Sequence, residues 1–405
     1  MLTRPGADVR LLFLTRIARL FAYGALSVVL VLFLSELGLD QGRIGLLLTL
    51  TLLGDTAISL LLTTTADRLG RKRMLILGAT LMLLAGVAFA LASGYGLLVL
   101  AATIGVISPS GNEVGPFLAI EQAALSQAVP DVRRTRTFAW YNLAGACATA
   151  AGALAGGGLT QLLQTFGIGA LASYRTVLVG YAAIGAILVI LFTRLSPAAE
   201  APLAEVAHPL RHPISLGRSR GVVLRLSGLF AIDAFGGGFV LQSIAAYWFH
   251  VRFGAEPALL GSIFFGANLL AGLSYLAAAR LAERIGLLNT MIFTHVPSNL
   301  LLMAVPFMPT LPLAIGVLLL RFAISQMDVP TRQSYTMALV PPDERSAAAG
   351  VTNVARTTGA ALAPVIAGPL LASPALLNAP FVIAGALKLV YDAALYLSFR
   401  NVKER

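Results

Sequence analysis

The residues able to do chemistry in this 405-residue chain are ionisable side chains set inside long apolar runs. Arg16 and Arg19 lie three apart and so share one helix face, with Tyr23 one turn further on. Asn112, Glu113, Glu121 and Gln122 form a second set, Asp233 and Gln242 a third, and Arg321, Asp328 and Arg332 a fourth. In the last set the spacings of seven and four nearly complete whole helical turns, which puts the three side chains on one face. Charges inside apolar segments are costly and by default face a cavity or a partner. A carboxylate in such a place can take up a proton when it is dehydrated and lose it when water or an arginine returns. Asp328, Asp233 and Glu113 are therefore the proton-carrying candidates, and Arg16, Arg19, Tyr23, Asn112, Glu121, Gln122, Gln242 and Arg332 join them as candidates to line a substrate cavity. For Asp328 the competing reading is a fixed ion pair with Arg332. An Arg16–Glu121 pair is expected, because both fall at similar depth in spans that run in opposite directions, and Lys388 and Asp392, four apart, are expected to satisfy one another.

The elements that must hold these residues are membrane helices. The composition is 58% hydrophobic and 12% charged with a mean hydropathy of +0.84, whereas a soluble domain carries roughly 25% charged residues. A helix needs about 20 apolar residues to cross the hydrocarbon. Apolar runs place twelve spans near 11–35, 43–65, 74–93, 96–127, 137–163, 174–194, 222–250, 258–281, 288–307, 312–338, 346–372 and 378–399. No small-residue cleavage site follows Phe33 and Leu34, so the first span is expected to be retained. The polar stretch Ser196 to Arg220, with Pro197, Pro202, Pro209 and Pro213, divides a bundle at 1–195 from a bundle at 222–405, the linker being 196–221.

The formal charge of +11 has the distribution of an orientation signal. Arg43, Arg175 and Arg252 fall in one set of loops, while most other Lys and Arg lie in the termini, the linker and the opposite loops. The excess predicts cytoplasmic termini in a multi-pass protein of the inner membrane. No basic patch with interleaved aromatics calls for nucleic acid.

The halves repeat. Gly38, Asp40, Ile44 and Gly45 correspond to Gly254, Glu256, Leu260 and Gly261, and Ala66-Asp67-Arg68-Leu69-Gly70 corresponds to Ala282-Glu283-Arg284-Ile285-Gly286 at the same offset. Pro130-Asp131 with Arg133 is matched by Pro341/Pro342-Asp343 with Arg345, and Asn142-Leu143-Ala144 by Asn353-Val354-Ala355. Parallel repeats of this size predict two pseudo-symmetric six-helix bundles with a binding site between them. Within the fourth span, Ser108-Pro109-Ser110-Gly111-Asn112-Glu113-Val114-Gly115-Pro116 cannot form an uninterrupted helix, and broken helices of this sort often build binding sites in carriers. No phosphate-binding loop or nucleophile motif is present, and His208, His212, His250 and His295 are too scattered for ordinary metal-ligand spacing. The chain is therefore expected not to be an enzyme and to use no cofactor.

Thr63 to Arg73, containing Ala66-Asp67-Arg68-Leu69-Gly70-Arg71-Lys72-Arg73, resembles the signature between the second and third helices of the major facilitator superfamily, with Thr63 where a glycine is usual. The resemblance implies an all-α membrane protein of that fold with 12 transmembrane helices. It also implies that the first, fourth, seventh and tenth helices line the cavity and that Asp67, Arg68, Gly70 and Arg71 act in gating, Asp67 against the start of the eleventh helix near Ser346. Asp55 and Arg356 lie on helices that serve as gates in that family. In the fifth span, Gly152-Ala153-Leu154-Ala155-Gly156-Gly157 is similar to the signature of its drug/proton antiporters, with Ala153 in place of a proline; plain helix packing is the competing reading. The leading expectation is a monomeric, proton-coupled carrier that exports a small organic compound by rocker-switch alternating access, its partners being substrate, protons and the lipid bilayer. The rivals are symport or uniport uptake of an anionic metabolite, and a non-transporting membrane receptor.

Overall fold

The computed structural model describes residues 5–200, 217–341 and 344–400. Most of the expected linker, with Pro202, Pro209, Pro213, His208 and His212, and the repeat positions Pro342 and Asp343 lie outside the described residues. Regular structure among the described residues is helical throughout. The α-helices are α1 (Pro5–Glu36), α2 (Gln41–Leu69), α3 (Arg71–Leu91), α4 (Tyr95–Ile104), α5 (Phe117–Ala128), α6 (Asp131–Thr165), α7 (Ala170–Thr193), α8 (Arg220–Gly238), α9 (Gln242–Phe253), α10 (Pro257–Ile285), α11 (Leu287–Ala304), α12 (Leu311–Ser325), α13 (Asp328–Leu339), α14 (Arg345–Leu362), α15 (Pro364–Ala372) and α16 (Ala379–Phe399).

Among the described residues, eleven helical stretches are long and apolar enough to cross a membrane, and the remaining expected span is the broken one, carried by α4 and α5. Leu61, Leu84, Leu91, Ile190, Phe293 and Leu397 are exposed on these helices, as side chains against lipid would be. The break runs from Gly105 to Pro116, with Gly111 and Gly115 at φ 71° and 79°. Its freed backbone groups find local partners: the Ser108 hydroxyl donates to the Asn112 carbonyl at 2.7 Å and the Tyr181 hydroxyl to the Val106 carbonyl at 2.5 Å. Irregular backbone at membrane depth survives only when satisfied in this way.

The chain forms two compact units. One draws on Met1–Asp40, Leu50–Pro209 and Ala245–Phe265, the other on Gln41–Thr49, Leu210–Ile244 and Gly266–Arg405. In the first, α1 is buried almost without interruption from Ala22 to Leu34 and packs on α6 and α7. The α1–α6 approach is so close that a Cβ on Gly152 would stand 2.0 Å from the Phe21 carbonyl oxygen. In the second, α8 packs on α14 by the same device, a Cβ on Gly238 standing 2.2 Å from the Ala360 carbonyl oxygen. Its core gathers Val223, Leu226, Phe230, Tyr335, Tyr391 and Phe399. The sequence repeat is also a repeat of backbone conformation. Gly38 and Gly254 have φ 82° and 66°, and Gly70 and Gly286 have φ 104° and 84°, so both copies end the same helices with left-handed glycines.

Candidate functional site

Each unit holds a buried knot of charge. In the first, Arg19 on α1 sends Nη1 and Nη2 to the two carboxylate oxygens of Glu121 on α5 at 2.8 and 2.7 Å, and Nε to Glu113 Oε1 at 2.8 Å. Arg19 and Glu121 are wholly buried, so the two-pronged geometry matters: it satisfies both charges where water cannot. Glu121 also accepts from Thr15 Oγ1 at 3.1 Å and from the Tyr141 hydroxyl. Arg16 Nη1 lies 3.0 Å from Glu113 Oε2, close enough for an ion pair but out of line for a hydrogen bond, and its Nη2 donates to Asn142 Oδ1 at 3.3 Å. The guanidinium groups of Arg16 and Arg19 lie over the rings of Tyr141 and Phe117, each at 4.3 Å.

The expected Arg16–Glu121 pair is therefore replaced by Arg19–Glu121 and Arg16–Glu113. Depth alone cannot choose between Arg16 and Arg19, which are three residues apart on one face; the irregular stretch before α5 carries Glu113 to both arginines and leaves Glu121 to Arg19. Asp55 on α2 has a structural role in the same region, accepting the Gly115 N–H at 2.6 Å, and the Tyr23 hydroxyl donates to the Val114 carbonyl at 3.4 Å. Both side chains pin the break. Asn112 is exposed and Gln122 half-buried, and no side-chain hydrogen bond joins either to the knot among the described residues.

In the second unit Asp233 on α8 is the node. Its Oδ1 accepts from Lys388 Nζ on α16 at 2.5 Å, and its Oδ2 from Arg332 Nη1 on α13 at 3.3 Å. The same Nη1 donates to Asp328 Oδ2 at 2.8 Å, so the i, i+4 pair weighed from sequence does form. His295 on α11 stands between two carboxylates: Nδ1 is 2.7 Å from Asp392 Oδ1 and Nε2 is 3.5 Å from Asp233 Oδ1. Asn299, one turn along α11, donates to Asp392 Oδ2 at 2.9 Å. Asp233, His295, Asp328, Arg332, Lys388 and Asp392 are all buried.

Lys388 and Asp392 thus do not satisfy each other. The i, i+4 spacing gives them one face of α16, but that face meets α8 and α11, which offer each a better partner. The sequence reading weighed His295 only as a metal ligand, although an ionisable residue inside an apolar span is also a signal for a buried charge network. Gln242 is bonded to Asn268 Nδ2 at 3.0 Å.

Asp233, His295 and Asp328 bring possible metal-ligand atoms within 4.8 Å of one another, an arrangement that sequence spacing could not reveal because three helices supply it. Lys388 and Arg332 already occupy these carboxylates as counter-cations, which disfavours a further cation there.

The signature loop turns at Gly70, and Arg71 Nε donates to Asp67 Oδ1 at 2.8 Å. Glu200 accepts the N–H groups of Arg71 and Lys72 at 2.5 and 3.2 Å, capping the start of α3. Arg68 is exposed, and the side chain of Ser346 lies outside the described residues. In the second unit Glu344 does the same for α8, accepting N–H groups of Gly217, Arg218 and Ser219 at 3.1, 3.0 and 3.0 Å.

A family model described as Major Facilitator Superfamily matches residues 12–364. An uncharacterized membrane protein of Saccharomyces cerevisiae is 31% identical over 424 aligned positions, covering 98% of this chain and 94% of the yeast protein. Among solved structures, a mutant of the nucleoside transporter NupG superposes with a TM-score of 0.78 at 16% identity, covering 97% of this chain and 100% of that one. A bacterial homolog of the human lysosomal transporter Spinster gives 0.73 at 16%, with coverage of 98% and 97%. A D-xylose-proton symporter gives 0.73 at 15%, with 98% of each chain covered.

Proposed function

The chain belongs to the major facilitator superfamily, and from that premise we propose that it is a proton-coupled secondary transporter, moving a small organic compound across a membrane by alternating access. The observation that carries the coupling is His295 held between Asp392 and Asp233. With Nδ1–H donated to Asp392, the neutral ring turns an unprotonated Nε2 towards Asp233 Oδ1, the oxygen that also receives Lys388. A proton on Nε2 makes that contact an ion pair and sets His295 in competition with Lys388. The tie between α8 and α16 then weakens as one between α8 and α11 forms, so proton binding changes which helices are held together. That is the differential interaction a two-state carrier requires.

The charged and polar groups around this switch come from every element packed against it: Lys388, Tyr391 and Asp392 from α16, Asp233 from α8, Asp328 and Arg332 from α13, Arg321 from α12, Arg356 from α14, and Asn299 from α11 itself. Asp328 and Glu113 are engaged by arginines and serve as fixed counter-charges in this scheme. The likeness to a proton symporter supports the fold's fitness for such coupling. The basic termini and loops support cytoplasmic ends in the inner membrane. Gly152 and Gly156 are taken up by packing on α1, so the direction of coupling is read by assay, export in exchange for protons being the first arrangement tested.

The test is the purified full chain in proteoliposomes holding a pH-sensitive dye and an acid lumen, challenged with cationic, neutral and anionic compounds. Exchange alkalinises the lumen and cotransport acidifies it. The proposal expects one class of compound to move protons, with the movement lost in His295→Gln and Asp233→Asn. Proton movement that persists unchanged in His295→Gln overturns the assignment.

A further inference from the structure

The acids of the second unit's knot all have partners. Asp233 takes Lys388 and Arg332, Asp328 takes Arg332, and Asp392 takes His295 and Asn299. Two guanidinium groups close by have no carboxylate among the described residues. Arg321 lies over the ring of Phe322 at 4.9 Å. Arg356 on α14 forms no ion pair or hydrogen bond among the described residues, its Nε is shut away from water, and it stands within electrostatic reach of Arg332, Asp233 and Asp328. Asp233 and Asp328 are already taken by Lys388 and Arg332, so Arg356 Nε is buried with no acceptor of its own, an unfavourable state until an anion arrives.

The charge count points the same way. Arg321, Arg332, Arg356 and Lys388 stand against Asp233, Asp328 and Asp392, which leaves one positive charge with His295 neutral and two with it protonated. One singly charged anion, such as a carboxylate, arriving with one proton restores the charge of the empty site, and a doubly charged phosphate ester does so with two protons. We infer that Arg356 is an anion-binding residue of the transport site, receiving the carboxylate or phosphate of a small organic anion that travels together with a proton. A planar guanidinium with free donors suits both groups, since each offers paired oxygens. Arg16, Arg19 and Arg332, the arginines among the cavity candidates of the sequence, are already engaged by carboxylates.

This inference rests on the proton-coupled reading, and its test separates the two. The purified chain in phosphatidylcholine vesicles with a pH-sensitive dye inside is given labelled gluconate, AMP, glucose, uridine or choline, each too polar to cross lipid unaided. The expected result is entry of gluconate or AMP with acidification of the lumen. Arg356→Gln, checked for monodisperse elution, should weaken the half-saturating concentration roughly ten- to a hundredfold, and Arg356→Lys should recover part of it. Proton movement driven by glucose, uridine or choline and by neither anion overturns the anion site while leaving proton coupling standing. Anion entry that depends on Arg356 but moves no proton overturns the coupling and leaves the site. Anion entry equal in wild type and Arg356→Gln overturns the site, as does an Arg356-dependent rise in melting temperature on adding phosphatidylglycerol without uptake of either anion, which would assign the residue to a lipid headgroup.

Discussion

Lys388 Nζ reaches from α16 to Asp233 Oδ1 on α8 at 2.5 Å, although Asp392 lies one turn away on its own helix. A buried lysine and a buried aspartate on different helices make a strut whose value lies in its completeness. Lys388→Met leaves Asp233 with Arg332 at 3.3 Å as its main counter-charge, and removing one partner of a buried pair costs about 3–5 kcal/mol. Asp233→Asn with Lys388→Met removes both charges and should recover most of that loss. The check is thermal unfolding in detergent of the two single variants and the double variant. A double variant no more stable than the worse single one would mean that the pair is not an isolated strut.

In the first unit the two glutamates should differ in cost. Glu121 is wholly buried, holds both prongs of Arg19 and accepts from Thr15 and Tyr141. Glu113 is 13% exposed in its side chain and meets Arg16 out of line. Glu121→Gln should therefore lower stability by about 3 kcal/mol or more, and Glu113→Gln, which weakens a single in-line bond from Arg19 Nε, by about 1.5–2 kcal/mol. Melting temperatures of the two variants under one condition test the order, which equal losses would contradict.

What the sequence made legible is what local pattern decides. Apolar runs gave the spans, two prolines and two glycines gave the broken fourth span, and Gly70 gave the tight turn with its second copy at Gly286. Arg16, Arg19, Glu113, Glu121, Asp233, Asp328 and Arg332 of the first, fourth, seventh and tenth spans all enter the two knots, and the second also draws His295, Lys388 and Asp392 from the ninth and twelfth. Partner choice was not legible, because it depends on the rotational phase of one helix against another. Arg16 and Arg19 share a face, so periodicity could not say which meets Glu121, and the break places Glu113 by an amount no helical rise supplies. Lys388 and Asp392 satisfy the i, i+4 rule on paper and are drawn apart by α8 and α11. His295 was weighed only for metal spacing, because its two carboxylates come from different helices.

Glu344 gives a pH dependence outside the membrane. The Ser219 side chain and the N–H groups of Ser219, Arg218 and Gly217 hold its carboxyl below the usual carboxylate range. A group whose folded pKa is depressed stabilises above its unfolded value, about 4.3 for Glu, and that contribution is lost as pH falls through the folded value. Glu344→Gln should thus lower the melting temperature at pH 7, and the gap to wild type should narrow below about pH 4 as the wild-type carboxyl protonates. A gap that stays constant from pH 7 to pH 3 would show that the cap does not act through the carboxylate charge.

Asp67 separates a gate from an anchor. Its side chain is 58% exposed, and its ion pair with Arg71 is an i, i+4 contact near the surface, of a kind worth about 0–1 kcal/mol. If that pair is its whole role, Asp67→Asn should leave both melting temperature and transport close to wild type. If Asp67 closes one side of the transport cycle, as the superfamily signature implies, the variant should keep its stability yet transport several-fold more slowly, while accessibility labelling shows one conformation over-populated. Arg71→Gln is the control, since it breaks the same pair from the other side and leaves the Glu200 cap on its backbone N–H intact. A defect confined to Asp67→Asn assigns the gate to the aspartate, and equal defects in both variants assign it to the Asp67–Arg71 pair.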